Sequence, residues 1–228
     1  MNKVCQKGPS LLTVFYTERR EIMKIIKNEI SSELTEKKSR FIANIFYVET
    51  KDEAEEKIKE IKKKYHDARH NCSAYRILDG QNIIEKSSDD GEPSGTAGAP
   101  MLNILQKNDL VNIVVIVTRY FGGILLGTGG LVRAYSDVTI DAIEKAKKTE
   151  ICIGKEYEVK VDYDNLESLK YYCKINNINV TKIEYFEKTI CNLEIQEEYI
   201  NKFIEDIEKR TLNILEYKEI KEKYIQKR

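Results

Sequence analysis

NIVVIVTRYFGGILLGTGGLVRAY, residues 112–135, joins a strand pattern to a helix pattern through a glycine-rich loop. It opens on the β-branched run IVVIV (113–117), the pattern of a strand buried on both faces. It closes on Leu131, Val132, Tyr135, Val138 and Ala142, spaced as the apolar face of a helix. Between them lie Gly122, Gly123, Gly127, Gly129 and Gly130. Glycine is costly inside regular structure and favoured where φ is positive or another group approaches the backbone closely. Five of them at a strand-to-helix junction predict a shaped loop with outward N–H groups. A helix N-terminus offers unpaired donors and about half a positive charge. Arg119 and Arg133 bracket this one, so the parts of an anion site are present. The same glycines also fit a turn that only packs tightly. The loop lacks the Gly-Lys-Ser/Thr of a Walker A motif, and Leu131-Val132 follow where a dinucleotide fingerprint needs its third glycine.

Composition narrows the class of protein. The chain has 228 residues, with 38 Lys/Arg balancing 38 Asp/Glu. That length suits one or two domains, and the balance disfavours a strongly basic nucleic-acid binder unless a local patch does the binding. Cys5, Cys72, Cys152, Cys173 and Cys191 are scattered and odd in number, without a Cys-x-x-Cys. They predict a reduced, cytoplasmic protein and neither a disulfide framework nor a zinc ribbon. No apolar run is long enough to span a membrane, and no secretory signal pattern is visible.

Residues 1–22 have no sustained periodicity and are expected to be an extension of uncertain structure or an artefact of start-site choice, with the first domain, 23–150, opening at Met23. A strand is expected at 41–48 and a helix at 52–65 whose lysines form a solvated face or contact a phosphate backbone. A strand at 72–78 turns through 79–82 into a short returning strand. His66, His70 and Cys72 lack a convincing third metal ligand. The segment DDGEPSGTAGAP (89–100) carries Asp89, Asp90 and Glu92. These acids could hold a hard cation, build turns, or face a ligand and fix neighbouring arginines. Ser94 or Thr96 is expected to cap a helix at 97–106. A strand at 112–118, the glycine loop and a helix at 128–148 complete an α/β two-layer unit. After a junction at 149–154 comes the second domain, 155–228. It reads strand 156–163, helix 166–175, strands 179–185 and 189–195, helix 197–210 and strand 212–220. That βαββαβ order is ferredoxin-like. Tyr171, Tyr172, Tyr185 and Tyr217 could stack on bases or serve as half-buried packing residues. The lysines of 218–228 read as a solvated end.

The pair DDGEPSGTAGAP and TRYFGGILLGTGGLVRAY (118–135) closely resembles the signature of the YigZ/IMPACT family, with KKSRFIA (37–43) and HNCSAYRI (70–77) also matching. The resemblance extends over roughly 37–148, and the last third looks like the family's bacterial tail domain. It implies a two-domain α+β protein. The first domain would resemble the second domain of a small-subunit ribosomal protein and domain IV of elongation factor G, and the tail would resemble that factor's domain V. Shared fold is only analogy for function. The family's eukaryotic members regulate translational initiation. They carry a separate N-terminal interaction domain, whereas the matched motifs here begin at Lys37, so roles depending on that domain do not transfer.

The leading expectation is a translation-associated binding protein. Arg119, Gly122, Gly123, Gly127, Thr128, Gly129, Gly130 and Arg133 would hold phosphate of RNA or another ligand. His70, Asp89, Asp90, Glu92, Ser94 and Thr96 would form the adjacent wall. RNA or the ribosome and translation-regulatory proteins are the expected partners, with no membrane, cofactor or resident metal. A metal-assisted enzyme acting on a phosphorylated small molecule or RNA is the first alternative, with no catalytic residue identified. A protein-interaction adaptor is the second.

Overall fold

The computed structural model describes residues 22–80 and 82–227. In chain order these form β1 (Met23–Ile26), β2 (Ile30–Glu36), β3 (Ser39–Tyr47), α1 (Lys51–Lys64), β4 (His70–Asp79), β5 (Asn82–Ser88), α2 (Gly98–Lys107), β6 (Ile113–Tyr120) and α3 (Gly127–Lys145). Then follow β7 (Lys148–Val161), α4 (Leu166–Ile175), β8 (Asn179–Tyr185), β9 (Thr189–Gln196), α5 (Glu197–Glu208) and β10 (Glu216–Gln226). The expected extension falls outside the described residues except for Ile22.

The first sheet has the order β2-β3-β6-β4-β5 and is antiparallel throughout. β6 is its centre, and its β-branched run is buried on both faces as the sequence pattern requires. Ile113, Val115 and Val117 point into the larger core with Phe41, Ile45, Met101, Leu131, Tyr135 and Val138, under α2 and α3. Val114 and Ile116 point the other way, to Val48, Ala54, Ile61 and Tyr75 beneath α1. The unit is therefore covered on both faces, a correction to the two-layer expectation. The narrow apolar stripe of α1 suffices for the smaller layer, because only Ala54 and Ile61 of that helix are fully buried.

The second sheet orders its strands β10-β7-β9-β8, the antiparallel ferredoxin-like arrangement, with a hydrophobic core under α4 and α5. Three expectations are corrected here. The junction 149–154 is strand, because β7 starts at Lys148 and β1 pairs with its first residues, Met23 opposite Ile151. α3 accordingly ends at Lys145. The last strand lies later than expected and absorbs most of the lysine-rich end. Its ladder with β7 runs to Gln226, and Lys223 reaches both Glu156 and Glu194. β10 is largely exposed, so backbone pairing rather than an apolar rhythm defines it. Met23, Ile25, Val111 and Ile151 form a small core that joins the two units.

Candidate functional site

The β4–β6 register sets His70 opposite Arg119 at one end of the first sheet. The acidic loop 89–96 folds over that end. Asp89 is the helix cap that the sequence reading sought in Ser94 or Thr96. Its Oδ1 accepts from the N–H of Ala97 at 3.0 Å and of Gly98 at 2.8 Å, and its Oδ2 accepts from that of Gly95 at 2.8 Å. Burial opposes ionisation of Asp89, but the three backbone donors outweigh it and hold the carboxyl below its ordinary value. Thr96 instead turns its hydroxyl onto the Pro93 carbonyl, and Ser94 is exposed. Asp90 sits in the left-handed region, φ 45°. Its Oδ2 accepts from the Asn71 N–H at 2.7 Å and its Oδ1 from Lys62 Nζ at 2.6 Å.

Glu92 points inward. Its Oε1 accepts from Arg119 Nη1 at 2.7 Å and from the Tyr135 hydroxyl at 3.0 Å, while His70 Nε2 lies 4.0 Å away. Glu92 and Arg119 are only 8% and 6% exposed, so this is a buried charge pair, and Arg119 Nε is buried without a hydrogen-bond partner. The Cys72 sulfur lies 2.9 Å from the Asp89 carbonyl oxygen, within reach of its one S–H, and 3.3 Å from the Tyr135 hydroxyl, and burial pushes that thiol up to about 12. His70 Nδ1 lies 2.9 Å from the Asp90 carbonyl oxygen. The guanidinium of Arg119 lies 5.4 Å from the ring centroid of Phe41 and 5.6 Å from that of Phe121. Arg119 is thus internal, and the expectation that its head group is free for phosphate is corrected. The three carboxylates are also committed to protein donors. Among the described residues, no group of three or more His, Cys, Asp or Glu is arranged to hold a metal.

The glycine loop begins where Arg119 ends. Gly122 is required by contact: a Cβ there would lie 2.0 Å from the Lys38 carbonyl carbon, and its N–H donates to Ser39 Oγ at 3.2 Å. The same Oγ accepts from Arg119 Nη2 at 3.5 Å. Gly123 and Gly127 have φ of +83° and +73°, which L side chains rarely adopt. The loop ends at the N-terminus of α3, where Leu126 provides no side-chain cap and the first turn holds no acidic residue. Thr128 and Gly129 are exposed, and a Cβ at Gly129 would meet nothing within 4 Å. Gly130 lies against Leu126. Arg133 lies one turn on and lines a cleft with Lys37, Glu36, Asp137, Gly129 and Gly130. Phe121, Ile124 and Leu125 project from the loop, Leu125 being 82% exposed.

The structure therefore gathers the predicted residues at one end of the sheet but splits them. Arg119, Glu92, His70, Asp89 and Asp90 build the frame, while Gly127, Thr128, Gly129, Gly130 and Arg133 face outward. Sequence reasoning gave no site role to Ser39, took Tyr135 for core and weighed Cys72 only as a metal ligand, yet the polar atoms of all three join the frame. They stand inside the matched motifs, which was the available signal. Of the tyrosines considered for stacking, Tyr172 is buried, whereas Tyr171, Tyr185 and Tyr217 are exposed.

A two-domain α+β protein with a framed, glycine-opened helix start is the class that this fold and geometry define. A family model described as the Impact N-terminal domain matches residues 37–143. IMPACT family member YvyE of Bacillus subtilis (strain 168) is 37% identical over 202 residues, 89% of this chain and 93% of that protein. IMPACT family member YigZ of Escherichia coli (strain K12) is 37% identical over 137 residues, 59% of this chain and 66% of its own. A crystal structure described as that of a hypothetical protein superposes with a TM-score of 0.55 at 29% identity, covering 86% of this chain and 97% of the other. The chain belongs to the IMPACT family. No helix among the described residues is long and apolar enough to cross a membrane.

Proposed function

We propose that the protein is a translation-associated regulator that binds RNA, or another phosphate-bearing ligand, at the N-terminus of α3. The observation that carries this reading is the difference between the two helix starts at this end of the sheet. At α2 the Asp89 carboxylate already fills the anion position. α3 starts uncapped, without an acidic first turn, on glycines that leave space for a close approach. In this reading the N–H groups of Thr128, Gly129 and Gly130 receive a phosphate oxygen, with the Thr128 hydroxyl and Arg133 beside them. Arg119 acts at one remove, by holding Glu92 and the aromatic base of the loop. Membership of the family supports the translational context.

A second reading, a protein-interaction adaptor, is favoured by the exposed Phe121, Ile124 and Leu125. The metal-assisted enzyme is the least supported, since Asp89 and Asp90 spend both carboxylate oxygens on protein donors and Glu92 spends its Oε1 on Arg119 and Tyr135.

Amide NMR titration with inorganic phosphate and with a short oligoribonucleotide tests the proposal. The expected result is perturbation centred on the amides of 127–130, reduced in Arg133→Glu. Perturbation confined to the tyrosine-bearing second unit, or none in either titration, would refute it.

A further inference from the structure

α3 runs beside β2, and the seam between them is closed at one end and open at the other. At the closed end Ser32 of β2 donates to Asp141, and Lys145 donates to Asp141 at 2.6 Å and to Ser32 at 2.9 Å. Toward the start of α3 the seam opens into a cleft of about 440 Å³. Leu34, Leu126 and Ala134 give it an apolar wall. Glu36 and Lys37 enter it from the β2–β3 turn, and Arg133 and Asp137 enter it from α3. Lys37 and Lys38 hold that turn with φ of 45° and 65°, and the Lys38 carbonyl lies against Gly122, which ties the turn to the glycine loop. Arg133 and Asp137 stand four apart, the spacing at which Asp141 and Lys145 pair farther along the helix. Among the described residues, none of Glu36, Lys37, Arg133 and Asp137 has a side-chain partner.

We propose, building on the phosphate reading of the α3 start, that this cleft binds a guanine nucleotide and that Asp137 reads its base. Unpaired charges of both signs in one cleft fit a ligand with anionic oxygens at one end and N–H donors at the other. The phosphate takes the first-turn N–H groups, between Lys37 and Arg133. Ser32 beside Asp141 fixes the register of the seam, so Glu36, farther along β2, stands nearer the start of α3, at the level of the ribose hydroxyls. At about 1.5 Å per residue, Asp137 stands roughly 12 Å along α3 from Gly129, and helical side chains lean back toward the N-terminus. A nucleotide spans that separation from its phosphate to the far edge of its base. Guanine presents two adjacent donors on that edge, N1–H and the 2-amino group, and one carboxylate accepts both. Adenine, cytosine and uracil each set an acceptor beside their donor, and a carboxylate repels it.

The test is amide NMR titration of the full chain with GMP, AMP, CMP and UMP, and with IMP, whose base lacks the 2-amino group of guanine. GMP should bind at least about fivefold more tightly than the other four, a usual margin for one bidentate base contact. Its perturbations should run from the amides of 128–130 to those around Asp137. Asp137→Ala and Asp137→Asn should each reduce GMP to the affinity of AMP. Asp137 is exposed, so both variants should keep the parent fold, which circular dichroism checks. GMP that perturbs 128–130 but binds no more tightly than AMP or IMP would overturn the base reading and leave the phosphate site standing. A preference for GMP that survives both Asp137 variants would overturn it too. Absence of perturbation at 128–130 with every nucleotide would remove the phosphate site and the guanine site with it.

Discussion

Gly122 and Gly129 look alike in the sequence and differ completely in the structure. A methyl group at Gly122 would drive into the Lys38 carbonyl, backbone against backbone, whereas at Gly129 it would meet open space on a helix with ordinary φ. Gly122→Ala should therefore cost at least about 2 kcal/mol in urea unfolding. Gly129→Ala should stabilise by about 0.5–1 kcal/mol, the helix-propensity difference. Equal effects would contradict the assignment of one glycine to packing and the other to access. Asp89 gives a pH test. Its folded value is depressed, so its stabilisation is complete above the unfolded value of about 3.9 and disappears as pH falls through the folded one. Asp89→Asn should be less stable than the parent by about 1–2 kcal/mol near neutrality. Unfolding measured at a series of pH values should show the gap closing below about pH 4, and a gap constant with pH would contradict the capping role.

At the scale of elements, the acidic loop is tied to the sheet by Glu92 and Arg119, which are both buried. Removing one partner strands the other charge, so Glu92→Ala should cost about 3–5 kcal/mol. In a double-mutant cycle with Arg119→Met, the double variant should recover at least about 1 kcal/mol relative to additivity, and simple additivity would contradict the pairing. The sequence made the elements legible where burial imposes a period: the strand at β6, the stripe of α3, the βαββαβ order. It hid β1 and β10, because edge strands are specified by the partner they pair with more than by their own pattern, and with β1 it hid the first residues of β7, which pair with that strand. The site was legible as a set of residues and illegible as a set of contacts. Ser39 reaches Gly122 across 83 positions, and Glu92 reaches Arg119 across 27, pairings that only the folded register creates. Arg119 read as a free cation because its type and place fit a phosphate site, and the acid that claims it lies in another loop.

Over the whole molecule, Met23, Ile25, Val111 and Ile151 join the two units, so they should share stability. Ile151→Ala should cost about 2–4 kcal/mol. Tyrosine fluorescence, usable because the chain has 14 tyrosines and no tryptophan, should then shift together with far-ultraviolet circular dichroism. Separate transitions would contradict the joint core. The formal net charge is zero, so the proposed RNA binding has no net positive charge to draw on and would rest on local contacts. Salt dependence therefore tests the proposed α3 site directly, since each phosphate neutralised adds about 0.7 to the slope for a single strand. The decisive measurement is anisotropy of a labelled single-stranded RNA across a salt series, comparing the parent chain with Arg133→Ala. The account predicts binding that weakens as salt rises, with a shallower slope and lower affinity in the variant. Binding of equal strength and slope in both proteins, or none at the lowest salt, would contradict it.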